Sequence, residues 1–395
     1  MKIIIQPGPL SGSLSAIPSK SHGHRLLIAA ALSNPQGQVH LTETSEDLEA
    51  TRTCLSALAE NDPVLPCRES GSTLRFLLPV AMAQKPHVRF LGEGRLLQRP
   101  LSPLKEEMER HGCRFHMGKG ELEVNGLLQS GSYHLPGDIS SQYVTGLLFA
   151  LPLLAGDSEI LLTTPLESKG YVDMTLQVLM EAGIHVEVGV QEGTYGPQRE
   201  ALPKYIIPGR QQYQSPAHTT PEGDWSNAAF WLAANYVGFG NRITCNGLSE
   251  ESLQGDRIVS DLLRDFPNVI DGSQIPDLIP ILAVVAAVRP GITTINRAER
   301  LRLKESDRLE TTVRLIHDLG GDAEEQPDGM IIRGKPLLRG GTVDGCGDHR
   351  IVMAAAIAAT NCTEPVIITG AEAVNKSYPG FFRDYKGLGG KMNEI

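Results

Sequence analysis

The chain has 395 residues and a formal net charge of −10, so its length favours two domains and its acidity argues against nucleic acid as the main partner. Hydrophobic residues make up 41% and charged residues 21%, as in ordinary globular proteins, and no apolar run reaches the roughly 18 residues of a membrane span. The six cysteines lie far apart without a CxxC pair, which argues against a disulfide framework or a zinc site and favours a reducing cytoplasm.

Six segments combine a polar head with a body rich in alanine and leucine, and this pattern predicts six buried helices. In chain order, these segments begin at Ser19, Glu69, Gly137, Gly223, Ile275 and Gly347. Their polar anchors are 51 and 68 residues apart in the first half of the chain, and 53 and 71 apart in the second half. The anchors are Ser21, Ser72, Ser140, Asp224, Asp277 and Asp348. The regular spacing predicts an internal repeat.

A second, amphipathic helix is predicted after each buried one, with Pro100 at a first helical position and Gly183 and Gly320 at two of the ends. These helices are predicted to begin at Ser45, Arg99, Gly170, Gln254, Lys304 and Tyr378. Strand-like runs occur at 1–6, 38–43, 87–92, 159–164, 184–188, 204–209, 242–247, 292–296, 329–334 and 365–370.

The repeat predicts an α/β protein made of six β/α units, three in each half. The halves are predicted to join near the polar, proline-containing stretch 209–225. We therefore expect one domain at 14–215 and a second at 1–13 plus 216–395. A single large α/β domain with coincidental spacing is the alternative.

The heads of the predicted helices carry most of the candidate binding residues. Helix N-termini attract anions, and if the buried helices of each half run roughly parallel, a cation-rich cleft is expected between the halves. Taken alone, each head also has a structural interpretation, since serines can simply cap helices and the segment 304–309 reads as an ordinary capping box. The sequence has no P-loop, GxGxxG or HExxH motif, so neither a metal nor a nucleotide cofactor is expected.

Taken in order, the motifs at these heads resemble those of the 5-enolpyruvylshikimate-3-phosphate (EPSP) synthase family over nearly the whole chain. The most specific are LKESDRL (303–309), GDHR (347–350) and NKSYPGFF (375–382), and the others are PSKSHGHR (18–25), ESGSTLR (69–75), QRP (98–100), GDISSQY (137–143), ESKGY (167–171), EGDWS (222–226), QGD (254–256) and IPD (275–277). The resemblance implies a two-domain, inside-out α/β barrel, the enolpyruvyl transferase fold. Each domain would contain three βαβαββ repeats with buried helices and outer sheets.

The resemblance also implies a reaction, which is transfer of the enolpyruvyl group of phosphoenolpyruvate to the 5-hydroxyl of shikimate 3-phosphate with release of phosphate. The route is addition followed by elimination through a tetrahedral intermediate. It requires a base at the hydroxyl, an acid–base group at C3 of phosphoenolpyruvate, and cations for the phosphates and carboxylates. No cofactor is implied, and the expected partners are the two small substrates rather than nucleic acid or a membrane.

Each implied site residue is carried over by its position in a matching motif. The implied catalytic residues are Asp277 at the 5-hydroxyl, Glu305 near C3 and Lys20 between both substrates. Those implied for shikimate 3-phosphate are Lys20, Ser21, Arg25, Ser140, Ser141, Gln142, Ser168, Tyr171, Asp277 and Lys304. Those implied for phosphoenolpyruvate are Lys20, Gly71, Arg99, Gln142, Arg308, Arg350 and Lys376, with Asp348 and His349 in support.

Four positions depart from the family pattern. Glu69 stands where many relatives carry Asn and could repel phosphoenolpyruvate unless it pairs with a cation such as Arg68. Ser72 and Thr73 replace a Thr-Ala-like pair, and Arg300 replaces an Asn that often helps bind the shikimate phosphate. Gly71 leaves room for glyphosate, so we expect this analogue to compete with phosphoenolpyruvate.

Two alternatives remain open from the sequence. UDP-N-acetylglucosamine enolpyruvyl transferases share the fold and the donor but use a cysteine on a mobile loop, and the corresponding stretch 92–104 contains none. A catalytically silent binding protein on the same scaffold is the other alternative. We expect a cytoplasmic monomer.

Overall fold

The computed structural model describes residues 1–192, 201–238 and 240–395, and the chain divides into two compact units. Unit 1 comprises Met1–Ser19, Glu43–Ser45 and Glu222–Ile395, and unit 2 comprises Lys20–Thr42 and Glu46–Pro221. Each unit has a hydrophobic core of its own.

The helices and strands follow the alternation that the repeat predicts. The α-helices are α1 (Lys20–Leu32), α2 (Glu46–Ala57), α3 (Gly71–Met82), α4 (Leu104–Arg110), α5 (Ser141–Ala150), α6 (Lys169–Glu181), α7 (Trp225–Val237), α8 (Val259–Arg264), α9 (Ile279–Val288), α10 (Arg308–Asp318), α11 (His349–Ala358) and α12 (Phe381–Gly387). The strands are β1 (Lys2–Gln6), β2 (Ser11–Ser15), β3 (Gln38–Val39), β4 (Val64–Arg68), β5 (His87–Gly92), β6 (Arg114–Met117), β7 (Glu121–Asn125), β8 (Ser132–Leu135), β9 (Ser158–Leu162), β10 (Glu187–Glu192), β11 (Ala201–Ile207), β12 (His218–Thr219), β13 (Arg242–Asn246), β14 (Val269–Asp271), β15 (Ile292–Asn296), β16 (Asp322–Gln326), β17 (Gly329–Arg333), β18 (Gly341–Asp344), β19 (Val366–Thr369) and β20 (Lys391–Glu394).

Four sheets share one topology, in which the first two strands are parallel and the other two are antiparallel to their neighbours. Unit 2 contains the sheets β4-β5-β7-β6 and β8-β9-β11-β10, and unit 1 contains β14-β15-β17-β16 and β18-β19-β1-β20. In chain order, the first three of these sheets read βαβαββ. In the fourth, the N-terminal β1 takes the place of the last strand. A parallel pair completes each unit, β2 with β13 in unit 1 and β3 with β12 in unit 2.

The helices that were predicted to be buried lie inside each unit, and the sheets cover them. Every residue of α9 is buried, whereas strands such as β7 and β9 alternate buried and partly exposed residues. This is the inside-out arrangement that the sequence predicted. In unit 2, α3 and α5 approach so closely that a Cβ at Gly146 would clash with the backbone oxygen of Arg75. Glycine is therefore required at this contact.

Several predicted boundaries were wrong by a few residues. Pro100 lies outside a helix, because α4 begins only at Leu104. Helix α10 begins at Arg308 rather than Lys304, since the side chain of Asp307 accepts the Glu310 N–H and caps the helix there. Helix α12 likewise begins after the predicted start. The ends predicted at Gly183 and Gly320 are confirmed, and both glycines have the left-handed φ typical of helix C-termini, +74° and +81°.

Candidate active site

In unit 1, the buried guanidinium of Arg308 binds three carboxylates. Its Nε donates to Asp348 at 2.9 Å, its Nη1 to Asp277 at 2.8 Å and its Nη2 to Glu305 at 2.5 Å. The side chain of Arg308 is only 1% exposed. Burial lowers the pKa of Arg308, but the three carboxylates outweigh burial and raise it well above its usual value. Arg308 therefore fixes both predicted catalytic carboxylates of this unit.

Asp348 is the structural centre of this cluster. It is fully buried and caps α11, accepting the Arg350 N–H at 2.9 Å. It also accepts the hydroxyl of Ser306 at 3.0 Å. The charged head of this apolar helix thus joins the start of α11 to the start of α10.

Asp277 lies two residues before α9 and is surrounded by positive charge. Besides Arg308, Lys304 Nζ lies 3.6 Å and Arg350 Nη2 3.7 Å from its carboxylate oxygens. Burial is the strongest influence on Lys304 and lowers its pKa, although the attraction of Asp277 opposes this shift. The predicted base is therefore one carboxylate among three cations.

The remaining predicted residues of unit 1 lie at the start of α11. Arg350 is buried and donates from Nη1 to the Ser226 backbone oxygen at 2.8 Å. His349 is also buried, with Nδ1 3.9 Å from Asp348. Lys376 Nζ donates to the Gly347 backbone oxygen at 2.6 Å. Seven of the site residues predicted in unit 1 therefore lie in one cluster (Asp277, Lys304, Glu305, Arg308, Asp348, His349 and Arg350), and Lys376 contacts the backbone just before α11.

In unit 2, Lys20 is the first residue of α1, and its Nζ lies 2.9 Å from Asp47 Oδ2. Arg25, one turn further along, is buried and braces three helices. It donates to the Ser21 backbone oxygen of α1 at 2.6 Å, to Thr175 Oγ1 and the Tyr171 backbone oxygen of α6 at 2.8 Å each, and to Thr145 Oγ1 of α5 at 3.4 Å. Burial lowers its pKa to about 9, so Arg25 remains protonated at neutral pH.

A second polar group surrounds Gly71 at the start of α3. Gln142 accepts from Arg75 at 3.2 Å and donates to Ser72 at 3.0 Å. A Cβ at Gly71 would lie 2.6 Å from Arg75 Nη1 and 2.8 Å from Arg99 Nη1. Glycine at this position therefore lets two guanidinium groups approach the backbone, and the resulting surface can attract an anion.

The three serines predicted to bind a phosphate lie at two helix starts in unit 2. Ser140 caps α5 by accepting the Gln142 N–H at 3.3 Å, and Ser141 begins that helix. Ser168 precedes α6 with the left-handed φ of +55° that is rare for a residue with a side chain. Ser141 and Ser168 are buried, whereas Ser140 is partly exposed.

The structure also locates two of the departures from the family pattern. The carboxylate of Glu69 lies against Gly94 and would be 2.5 Å from a Cβ at that position. Arg300 lies in the 3₁₀ turn before Lys304, where its Nη1 reaches the Ser273 backbone oxygen at 3.4 Å.

Two charged side chains that contact predicted site residues were not predicted from the sequence. Asp47 pairs with Lys20, but an acidic residue in the first turn of a helix is common and carries no special signal. Arg75 ends the motif at 69–75 and had no predicted role, and only its contacts with Gln142 and the backbone of Pro100 distinguish it.

Among the described residues, no cluster of three or more histidine, cysteine or acidic side chains could hold a metal ion. A separate search of the same residues finds no helix with the length and apolar character to cross a membrane.

Comparisons with known proteins identify the family. The family described as EPSP synthase (3-phosphoshikimate 1-carboxyvinyltransferase) matches residues 4–273 and 267–385. A 3-phosphoshikimate 1-carboxyvinyltransferase of Clostridium kluyveri is 41% identical, with 99% of this chain and 98% of that protein covered. One from Clostridium acetobutylicum is 39% identical at the same coverage.

Solved structures share the fold at lower identity. EPSP synthase from Acinetobacter baumannii superposes with a TM-score of 0.76 at 20% identity, with both chains covered completely. The enolpyruvyl transferase NikO from Streptomyces tendae gives a TM-score of 0.75 at 16% identity, covering 100% of this chain and 98% of that one. The family match and the full-length identity together show that this chain belongs to the EPSP synthase family.

Proposed function

We propose that this chain is a 3-phosphoshikimate 1-carboxyvinyltransferase. It transfers the enolpyruvyl group of phosphoenolpyruvate to the 5-hydroxyl of shikimate 3-phosphate and releases phosphate. Membership of the family supports the reaction class. The observation that carries the assignment is the cluster in which Arg308 holds Asp277 and Glu305 at 2.8 and 2.5 Å.

The chemistry assigns a different role to each of these carboxylates. In the addition step, Asp277 takes the proton of the 5-hydroxyl. The hydroxyl oxygen bonds to C2 of phosphoenolpyruvate, and C3 gains a proton. In the elimination step, the C2–phosphate oxygen bond breaks and C3 loses a proton, which restores the double bond. Glu305 and Lys20 are the two groups that we assign as candidates for the proton transfers at C3.

Cationic side chains balance the negative charge of the substrates. We assign Arg99, Arg308, Arg350 and Lys376 to phosphoenolpyruvate because guanidinium forks bind carboxylates and phosphates with two parallel hydrogen bonds. Phosphoenolpyruvate at Arg308 competes with Asp277 and Glu305 for the N–H groups of its guanidinium. Binding of phosphoenolpyruvate thereby frees both carboxylates for proton transfer.

We assign shikimate 3-phosphate to hydroxyl, amide and cationic groups. Ser140, Ser141, Ser168 and Lys304 serve its phosphate, Ser21 and Arg25 its carboxylate side, and Gln142 and Tyr171 its ring. Arg25 acts mainly by bracing the start of α1, because its N–H groups already serve α1, α5 and α6.

The nearest enzymatic alternative, UDP-N-acetylglucosamine enolpyruvyl transfer, is disfavoured by the cysteine chemistry. Cys113, the closest thiol after the loop 92–104, is 2% exposed, and burial raises its pKa to about 12. A thiol with that pKa is a poor nucleophile at neutral pH. Covalent labelling and inactivation by fosfomycin would favour the alternative.

The decisive experiment measures phosphate release with both substrates and with each one alone. Release only when both are present supports the proposal, and no release from the wild type contradicts it and favours a silent binding protein. Asp277→Ala should abolish release. The matched control is Asp271→Ala in the same unit, an exposed carboxylate paired with Arg297, which should retain release.

Glyphosate provides a second test of the phosphoenolpyruvate site, because the guanidinium groups of Arg75 and Arg99 come close to the backbone at Gly71 and can attract its anionic groups. We expect competitive inhibition against phosphoenolpyruvate. Unchanged turnover in millimolar glyphosate would contradict this expectation.

Several other predictions remain to be tested. We propose a cytoplasmic location, supported by six free cysteines, and a monomer, which light scattering after size exclusion would test. The domain limits 14–215 and 1–13 plus 216–395 also remain predictions.

A further inference from the structure

The strongest unassigned feature is the ion pair between Lys20 and Asp47 in unit 2. Its N–O distance is 2.9 Å, and the two side chains are only 15% and 13% exposed. Lys20 opens α1, and Asp47 lies in the first turn of α2. A pair this well shielded from solvent is screened less by salt than a surface pair.

A chain of buried hydroxyl groups fixes the backbone that carries Asp47. Thr73 Oγ1, in α3, lies 3.3 Å from the Asp47 backbone oxygen and 2.6 Å from Thr51 Oγ1. Thr51, in α2, lies 2.7 Å from His24 Nδ1 in α1. The contacts thus link all three helices, and Asp47 is held from its backbone as well as by Lys20.

A lysine gains most from such support, because its ammonium group sits at the end of four rotatable bonds. Serving two substrates at once requires that group to stay in one place, and misplacement by about 1 Å can cost about 100-fold in rate. The fixed carboxylate of Asp47 supplies a partner that restricts the lysine before any substrate binds.

We propose that Asp47 is the positioning residue of Lys20, holding its ammonium group for reaction with phosphoenolpyruvate. This inference rests on the proposed function. Asp47 itself touches neither substrate. It acts only through Lys20, and this separates it from the residues assigned to the substrates above.

The test compares Asp47→Asn, which keeps the size and removes the charge, with Glu49→Gln on the same helix. Glu49 pairs with Arg52 at the surface. We expect Asp47→Asn to lower kcat/KM for phosphoenolpyruvate by about 10- to 100-fold, Asp47→Glu to recover part of the loss, and Glu49→Gln to match the wild type. The unfolding midpoint of each variant is measured in parallel.

A double-mutant cycle separates positioning from a purely structural role. In a Lys20→Met background, assayed at higher enzyme concentration, Asp47→Asn should cause no further loss of phosphate release. Losses that multiply would overturn the inference, as would wild-type kcat/KM in Asp47→Asn or a lowered unfolding midpoint without a kinetic effect. A wild type that releases no phosphate removes the proposed function itself, whereas an active wild type with an unaffected Asp47→Asn removes only this inference.

Discussion

Arg308 illustrates why single side chains matter so much in this molecule. Its five N–H donors leave it able to serve several acceptors at once, and in unit 1 those acceptors are the two carboxylates assigned to proton transfer and the buried Asp348. A lysine could not replace it, because a single ammonium group lacks the rigid planar fork. Catalytic geometry and stability thus depend on the same guanidinium.

Asp348→Ala should destabilise the protein by about 3–5 kcal/mol, because it leaves a buried arginine without its buried partner. The loss includes the cap of α11. Urea unfolding followed by circular dichroism measures the effect. The control is Asp322→Ala, which removes an exposed ion pair with Arg333 and should change stability by at most about 0.5 kcal/mol. Equal effects of the two substitutions would contradict this account.

The shifted pKa of His22 makes the free energy of unfolding depend on pH. Burial, reinforced by the positive Arg25, lowers its pKa from 6.5 to about 4. Between pH 6.5 and 4 the unfolded chain therefore binds more protons than the folded chain. The free energy of unfolding falls as the pH falls from 6.5 towards 4. His22→Gln should reduce the slope of unfolding free energy against pH by up to about 1.4 kcal/mol per pH unit near pH 5. Identical slopes in variant and wild type would refute the prediction.

At the scale of elements, the loop after β5 shows how one departure from the family pattern is accommodated. From the sequence, Glu69 could repel phosphoenolpyruvate unless it pairs with a cation. The structure places its carboxylate against Gly94, whose φ is +55°. Because Gly94 has no side chain, it leaves room for Glu69, which would otherwise lie elsewhere near the start of α3.

Gly94→Ala should displace the Glu69 carboxylate and raise KM for phosphoenolpyruvate several-fold through like-charge repulsion. Adding Glu69→Gln should restore KM, because the displaced group is then neutral. Gly120→Ala serves as the control, since Gly120 has a similar φ of +76° but its Cβ would make only one ordinary contact, with the Gly92 backbone oxygen at 4.0 Å. A KM that stays high in the double variant would show that the loop itself had moved.

The elements that were easiest to predict are those whose signal is local. The buried helices are recognisable from their apolar composition, so α9 was correctly predicted as a helix. Strands such as β5 and β19 lie within their predicted runs. Short strands such as β12 and β14, with two and three residues, depend on pairing with distant segments, which no local pattern reports. The Lys20–Asp47 pair was missed for the same reason.

At the scale of the whole molecule, the two chain ends meet in one sheet of unit 1. Strand β1 lies between β19 and β20 and is antiparallel to both. The Met1 ammonium group lies 2.6 Å from Glu372, and the Ile395 N–H donates to the Lys2 oxygen at 2.9 Å. The termini are therefore neighbours and structurally ordered.

A circular permutant should therefore fold and keep its activity. Joining residue 395 to residue 1 by a short glycine–serine linker, with new ends at the exposed Lys119 between β6 and β7, should leave phosphate release within about tenfold of the wild type. Opening the chain inside α9, where every residue is buried, is the contrasting variant and should abolish soluble expression. Failure of the Lys119 permutant to fold would contradict the prediction.

The position of β1 also has a consequence for synthesis on the ribosome. Both of its neighbours are translated after residue 365, so the first strand emerges roughly 20–70 s before its partners at about 5–20 residues per second. Throughout that interval, the nascent chain carries an unpaired apolar strand, and the segments 20–42 and 46–221 of unit 2 can complete their own core first. Chaperone binding to the amino-terminal residues during translation is the expected cellular counterpart of this topology.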